Sequence, residues 1–294
     1  MAFEGLRRRI DAVKGNRVVA FVLTVQKRFG EDGAGNLAAS LTYFAFLSLF
    51  PLLLVAASIL GFVLANDPAG QARVARELAG SIPGLGRLIG ENVDALVDAR
   101  STAGIVGVLG ALWSGTALAR AASFALSRVS RKPEKSNFLQ TQLWAIGSTI
   151  GLGALALIAT GAGAALPTLA FTSAAGAALG LLGVVASFAL DLVLFTVCYR
   201  VLNRSLRRPS TQSWRGALIP AIGWTALKFG GAWYARHSVK GSTAVFGTFA
   251  SVVGILVILY LVARLFMYGA ELNAVLSERR GSNSPADAPQ PVAA

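Results

Sequence analysis

One cysteine, Cys198, and one histidine, His237, in 294 residues leave no intrachain disulfide and no cluster of thiolate or imidazole ligands for a metal ion. Charge is also scarce. Asp, Glu, Lys and Arg make up 14% of the chain, against about a quarter in ordinary soluble domains. Too few charges remain to clothe a water-facing surface, which excludes a conventional soluble enzyme. Neither a G-x-x-x-x-G-K-[ST] phosphate loop nor the cue for a dinucleotide-binding Gly-rich turn is present, so there is no visible site for ATP and no cofactor is expected.

What the chain has in abundance is apolar sequence, 54% of its residues. Crossing about 30 Å of hydrocarbon takes about 20 apolar residues in a helix. Six segments satisfy this length, at residues 38–65, 102–124, 139–165, 175–199, 214–236 and 244–275. The expected fold is all-α, a polytopic membrane protein of six transmembrane helices. Three regions follow: a basic amphipathic arm at 1–35, a transmembrane domain at 36–277 and a disordered Pro-, Ala- and Ser-rich tail at 278–294. The fifth segment carries Lys228 near its middle and Pro220 in its first half, which suits a helix facing inward.

Lys and Arg in the connections set the orientation. Nineteen fall on the side of the N-terminal arm and the tail, and six on the other side, with Lys228 and Arg264 inside the apolar segments. Both termini are therefore expected in the cytoplasm. The net charge of +13 is mostly this topogenic signal, and nucleic acid is not expected as a partner. In the arm, Phe3, Leu6, Ile10 and Val13 repeat at helical spacing among Arg and Lys, so the basic cytoplasmic face is expected to meet anionic lipid headgroups. The first apolar run is too long and starts too late for a cleavable signal peptide. Residues 66–101 carry two apolar faces separated by Pro83 and Gly84, which predicts two short amphipathic helices in the first outer loop.

Particular stretches resemble a known family. Residues 37–51, LAASLTYFAFLSLFP, are similar to the first-helix signature of the YihY/BrkB family of bacterial inner-membrane proteins, once also labelled the ribonuclease BN family. Residues 269–274, GAELNA, resemble its closing motif, residues 214–218, WRGAL, the start of its fifth helix, and Tyr199-Arg200 the end of its fourth. The resemblance spans residues 35–277. Asn203 stands where the family usually has Pro, and Phe246-Gly247 where it usually has Tyr-Gly. The resemblance implies a six-helix fold in the bacterial inner membrane. For activity it implies conflicting labels: ribonuclease, virulence factor and transporter of lipid-like substrates.

The residues themselves weigh these labels. A ribonuclease needs metal-held water or a positioned acid and base, and the one histidine is expected on the outer face, away from cytoplasmic RNA. Ionisable groups at bilayer depth cost about 2.5–3.5 kcal/mol each and normally face a bundle interior or a wet cavity. There are four: Asp191, Lys228, Arg264 and Glu271. Lys228 and Arg264 suit phosphate contacts, whereas Asp191 and Glu271 suit ion pairing or proton exchange. Pro51 and Pro220 free the carbonyls of Leu47 and Gly216 and mark helix breaks. Ser40 and Tyr43 place polar atoms near the first break.

Gly104, Gly107 and Gly110 on the second helix, and Gly147 and Gly151 on the third, allow close helix approach. Most of the five Trp read as interfacial anchors. The reading reached from sequence is a transporter, not an enzyme, moving an amphiphilic anionic lipid-like substrate through a polar intramembrane cavity. A non-transporting scaffold for envelope integrity is the alternative, and a membrane ribonuclease the weaker one. Homo-oligomerisation stays open.

Overall fold

The computed structural model describes residues 17–64, 100–131, 138–170, 176–203, 213–238 and 244–281. They form seven helices: α1 (Arg17–Glu31), α2 (Ala34–Leu64), α3 (Arg100–Val129), α4 (Phe138–Ala170), α5 (Gly176–Leu202), α6 (Ser213–Ser238) and α7 (Ala244–Gly281). No strand occurs among the described residues. Each of the six apolar segments coincides with one helix, α2 to α7. Four contain a stretch long and apolar enough to cross a membrane: Ala34–Ile59, Ser101–Val129, Leu181–Leu202 and Val252–Glu278. The shortest of the six, α6, has 26 residues, about 39 Å at 1.5 Å per residue. The helix expected at Phe3 to Val13, the two helices of the first outer loop and the tail beyond residue 281 lie outside the described residues.

The apolar side chains divide the bundle into two regions. Large ones such as Leu53, Ile59, Ile105, Leu109 and Trp113 stand exposed along the outer helix faces. In water such a surface would aggregate, but in lipid it is the solvated one. The core instead gathers at the end where α2 and α6 begin and α3, α5 and α7 finish. Phe29, Ala34, Ala38, Leu41, Ala122, Leu126, Tyr199, Ala217, Met267 and Ala270 pack there. Alanine dominates because helices in lipid gain little from burying bulk and much from close backbone approach.

Close approach is clearest between α2 and α3. A Cβ on Gly107 would lie 2.8 Å from the backbone nitrogen of Val55, and one on Gly110 would lie 3.1 Å from the Pro51 ring. One on Gly104 would meet the Ser58 hydroxyl. The three glycines thus form the groove in which α2 lies. Gly147 and Gly151 do not behave this way. A Cβ on either meets no described atom within 4 Å, because both sit on the exposed face of α4.

At the core end, α1 turns directly into α2. Gly33 adopts φ 66°, a conformation open to glycine at little cost, and its carbonyl accepts from the amides of Asn36 and Leu37. The end of α3 is different. Arg131 takes φ 52° without being glycine, a backbone cost of about 1–2 kcal/mol. Side-chain bonds secure neighbouring helix ends. Ser123 donates to the carbonyl of Leu202 at 2.8 Å, and Asn203 donates to the Ser130 hydroxyl at 3.0 Å.

Candidate functional site

Of the four ionisable groups at bilayer depth, the structure brings two together. Lys228 of α6 reaches α5, where its ammonium lies 2.5 Å from Asp191 Oδ2 and 2.9 Å from the Ser187 hydroxyl. Ser187 and Asp191 are four residues apart and share one face of α5. The two ends differ in environment: the Asp191 side chain is 4% exposed and that of Lys228 35%. An ammonium has three donors, and two are used among the described residues.

Arg264 goes elsewhere. Its guanidinium lies over the rings of Phe29 and Tyr268, 5.6 Å and 6.0 Å from their centroids. These rings stack on each other at 4.0 Å, joining α1 to α7. The guanidinium is thus within cation–π range of both rings. Arg264 and Glu271, seven residues apart on α7, therefore serve different neighbours.

Glu271 is 0% exposed, and neither of its carboxylate oxygens has a hydrogen-bond partner among the described residues. The charges that act on it come from Asp32, Arg28, Arg131 and Glu278. Arg131 lies 3.1 Å from Asp32 Oδ1 and 3.7 Å from Glu31 Oε2. Arg28 Nη1 donates to Glu278 Oε1 at 2.8 Å, and Nη2 pairs with Oε2. Asp32 Oδ2 is buried with no hydrogen-bond partner among the described residues. Asp32 and Arg131 escaped the sequence reading. The Asp32-Gly33 pair ahead of the first long helix is a helix-start signal, but nothing in the sequence says that an arginine about a hundred positions away would reach it.

Tyr43 is 59% exposed and packs edge-on against Phe44, and Ser40 is also exposed. Helices α2 and α6 continue through Pro51 and Pro220. Pro220 is fully buried.

The carbonyl it frees, that of Gly216, lies 2.4 Å from where a Cβ on Gly269 would sit, and the Gly269 carbonyl lies 2.2 Å from the corresponding point on Gly216. Each glycine thus turns a Cα–H toward the other's carbonyl, a weak but reciprocal contact that only glycine permits. Asn273 completes this crossing of α6 and α7. Its Oδ1 accepts from the Gly216 amide at 2.9 Å, and its Nδ2 donates to the Ser213 carbonyl at 3.1 Å. Tyr199 donates to the Phe266 carbonyl at 2.6 Å. Replacing Asn273 with Ala is expected to cost about 1–2 kcal/mol, since it strips an acceptor from the first turn of α6. Thermal unfolding in detergent measures this.

The structure shows an apolar cavity among the first four apolar helices, a different place from the polar cavity expected among the first, fourth, fifth and sixth. A cavity of about 620 Å³ is walled by Ser48, Leu52 and Val55 of α2, Leu112 and Ala119 of α3, Thr149 and Leu152 of α4, and Leu194, Cys198 and Leu202 of α5. Lys228, Arg264, Asp191, Glu271, Ser40 and Tyr43 are not on its wall. The two hydroxyls that are, Ser48 and Thr149, donate back to Ala45 and Ala145 of their own helices and so present little polarity to the space. Asp191, Cys198 and Leu202 nonetheless lie on one stripe of α5. Leu194 follows Asp191 by three residues, about 4.5 Å along the axis, so the apolar wall begins one turn from the ion pair.

Relatives of this chain include membrane proteins. The family described as Virulence factor BrkB matches residues 25–293. An uncharacterized protein of Dickeya dadantii (strain 3937) is 32% identical over 308 residues, covering 95% of this chain and 90% of that protein. Inner membrane protein YhjD of Escherichia coli (strain K12) is 28% identical over 297 residues, covering 92% and 84%. A UPF0761 membrane protein of Alkalilimnicola ehrlichii (strain ATCC BAA-1101 / DSM 17681 / MLHE-1) is 23% identical over 269 residues, covering 88% and 58%. No solved structure matches. Residues 214–218 and 269–274 and Tyr199, which carry the YihY/BrkB resemblance, converge on the crossing of α6 and α7. With the match running nearly the whole length of a bundle whose outer faces are apolar, the chain is a multi-pass inner-membrane protein and belongs to the BrkB family.

Proposed function

We propose that the protein is a transporter rather than an enzyme, and that it moves an amphiphilic, anionic, lipid-like molecule between leaflets. In this reading α2 to α7 all span the membrane and both termini lie in the cytoplasm, as the 19-to-6 division of basic residues favours. The observation that carries the reading is the pairing of an apolar cavity of about 620 Å³ with a cation one helical turn beyond its wall. An acyl chain fits the first and a phosphate or carboxylate headgroup the second. Ligand sites are commonly apolar hollows of about 300–1,000 Å³ with a few placed polar groups. Lys228 has a donor to spare and is the more exposed partner of its pair, so a headgroup can approach it while Asp191 stays buried.

The cavity rim supports entry from the bilayer, because Ile150, Gly153 and Ala154 of α4 are both cavity-lining and exposed. Anionic headgroups at the basic cytoplasmic face are the proposed resident partners, with Arg264 on its aromatic seat beside α1. Nucleic acid has no part in this reading.

The test is leaflet exchange of a fluorescent anionic phospholipid in vesicles containing the purified protein, with and without a pH gradient. Wild type is expected to exchange the probe. Lys228→Gln is expected to slow exchange about tenfold, the worth of roughly 1.4 kcal/mol of charge-assisted hydrogen bonding. Ala119→Phe, which fills the cavity without touching the ion pair, is expected to slow it comparably. Wild-type vesicles that leave the probe in its original leaflet under both conditions would overturn the reading and favour the scaffold.

A further inference from the structure

Two carboxylates were candidates for coupling transport to a proton gradient, and the structure separates them. Asp191 is held by an ammonium and a hydroxyl. Glu271 is buried with both oxygens unpartnered, and Asp32 Oδ2, also buried and unpartnered, belongs to the group of charges that act on it. A buried ionised carboxylate without hydrogen bonds is costly, and binding a proton removes that cost. Arg264, Glu271 and Glu278 follow one another at seven-residue spacing on α7, and the outer two contact Phe29 and Arg28 of α1, so Glu271 faces the end of α1 beside Asp32.

The surroundings allow few other ways to satisfy Glu271. Helix α2 has no ionisable residue but Tyr43 and presents the buried Ala34 and Ala38 at this end. From α6 come Gly216 and Ala217, while Arg215 is exposed beside Trp214. From α5 comes Tyr199, whose hydroxyl is committed to Phe266. The nearby cations are Arg28 and Arg131, and both are paired with other carboxylates, Glu278, Asp32 and Glu31. Arg131 holds its position from a left-handed backbone, a strained conformation of the kind that persists where surrounding contacts enforce it.

We propose that Glu271 and Asp32 form a proton-binding site, and that its occupancy controls whether Arg131 keeps the turn between α1 and α2 fastened to the end of α3. With the proton bound, Glu271 is a neutral carboxyl and Arg131 is free to hold Asp32. When the proton leaves to cytoplasmic water, Glu271 becomes a carboxylate that repels Asp32 and competes for Arg131 and Arg28. The Arg131–Asp32 contact then weakens and the turn loosens. Its link to transport rests on the transporter reading, but proton binding itself does not.

The experiment is a pH titration of the full-length protein in lipid nanodiscs, followed by infrared difference spectroscopy and by amide hydrogen exchange across residues 28–37. Wild type is expected to show a protonated carboxyl C=O band that disappears as pH rises. That band is expected to be missing in Glu271→Gln and displaced in Asp32→Asn. Exchange in the turn, corrected for the intrinsic effect of pH, is expected to rise as the band is lost and to become independent of pH in Glu271→Gln.

A carboxyl that is ionised at every pH, or protonated at every pH, would overturn the site, and the wild-type titration decides this even if a variant does not fold. A titrating band with unchanged exchange would overturn the fastening role. A titrating band in a protein that moves no lipid leaves this site standing while the transporter reading falls, and lipid exchange without the band does the reverse.

Discussion

Gly269→Ala is expected to lower the unfolding temperature of the detergent-solubilised protein by roughly 6–12 °C. The added Cβ would sit 2.3 Å from the Tyr199 hydroxyl and 2.4 Å from the Gly216 carbonyl. A flexible side chain could yield, but the second obstacle is backbone. Overpacking usually costs about 1–3 kcal/mol, and with backbone on the opposing side the upper end, about 3 kcal/mol, applies. At about 2–4 °C per kcal/mol for a protein of this size class the shift follows. Gly151→Ala is the control. No described atom lies within 4 Å of its new Cβ, so a gain of up to about 1 kcal/mol from helix propensity is expected. Equal effects at the two positions would mean that the crossing of α6 and α7 is looser than the structure shows.

The second large effect is expected at the buried ion pair, and its sign depends on which partner is removed. Lys228→Met leaves the almost fully buried Asp191 ionised and opposed only by the Ser187 hydroxyl. Stranding a buried charge costs about 3–5 kcal/mol, and the lower end applies because the lysine is one-third exposed. Asp191→Asn leaves the stranded charge on that more exposed lysine, and the amide still accepts a hydrogen bond, so about 1 kcal/mol is expected.

Replacing both, with Asp191→Leu and Lys228→Met, is expected to restore most of the lost stability, since apolar pairs of similar size replace buried ion pairs at little cost. Chemical or thermal unfolding of these proteins, with Asp191→Leu alone added, gives the cycle. A double variant that folds well yet no longer exchanges lipid would separate the headgroup role of Lys228 from its structural one. A double variant with wild-type exchange would leave the pair as a staple.

Much of the fold was legible because hydrocarbon thickness imposes a length on apolar segments. Residues 38–65 and 214–236 fall within one to four residues of Ala34–Leu64 and Ser213–Ser238. The expected end of the second segment at residue 124 falls short of Val129, because α3 continues as an alanine-faced helix, with Ala122, Ala125, Leu126 and Val129 buried against the core end. A hydropathy argument does not register packing of that kind.

The candidate site was legible as a set of four charges and not as a set of contacts. Which carboxylate meets Lys228 depends on the register between α5 and α6, and periodicity within one helix carries no information about its neighbour. Arg264 illustrates the same gap. Its seat is made by Phe29 of α1, a helix that no apolar run announced. The apolar hollow among α2 to α5 was not legible for a different reason. Serine and threonine count as polar in a sequence, yet Ser48 and Thr149 spend their hydroxyls on their own helices.

Cys198, the protein's sole thiol, is part of the apolar cavity wall. The wild-type chain therefore carries its own reporter of occupancy. An uncharged, membrane-permeant alkylating reagent that reaches this sulfur through the hollow would react more slowly whenever a hydrocarbon tail is seated there, with no engineered label and no background from a second site.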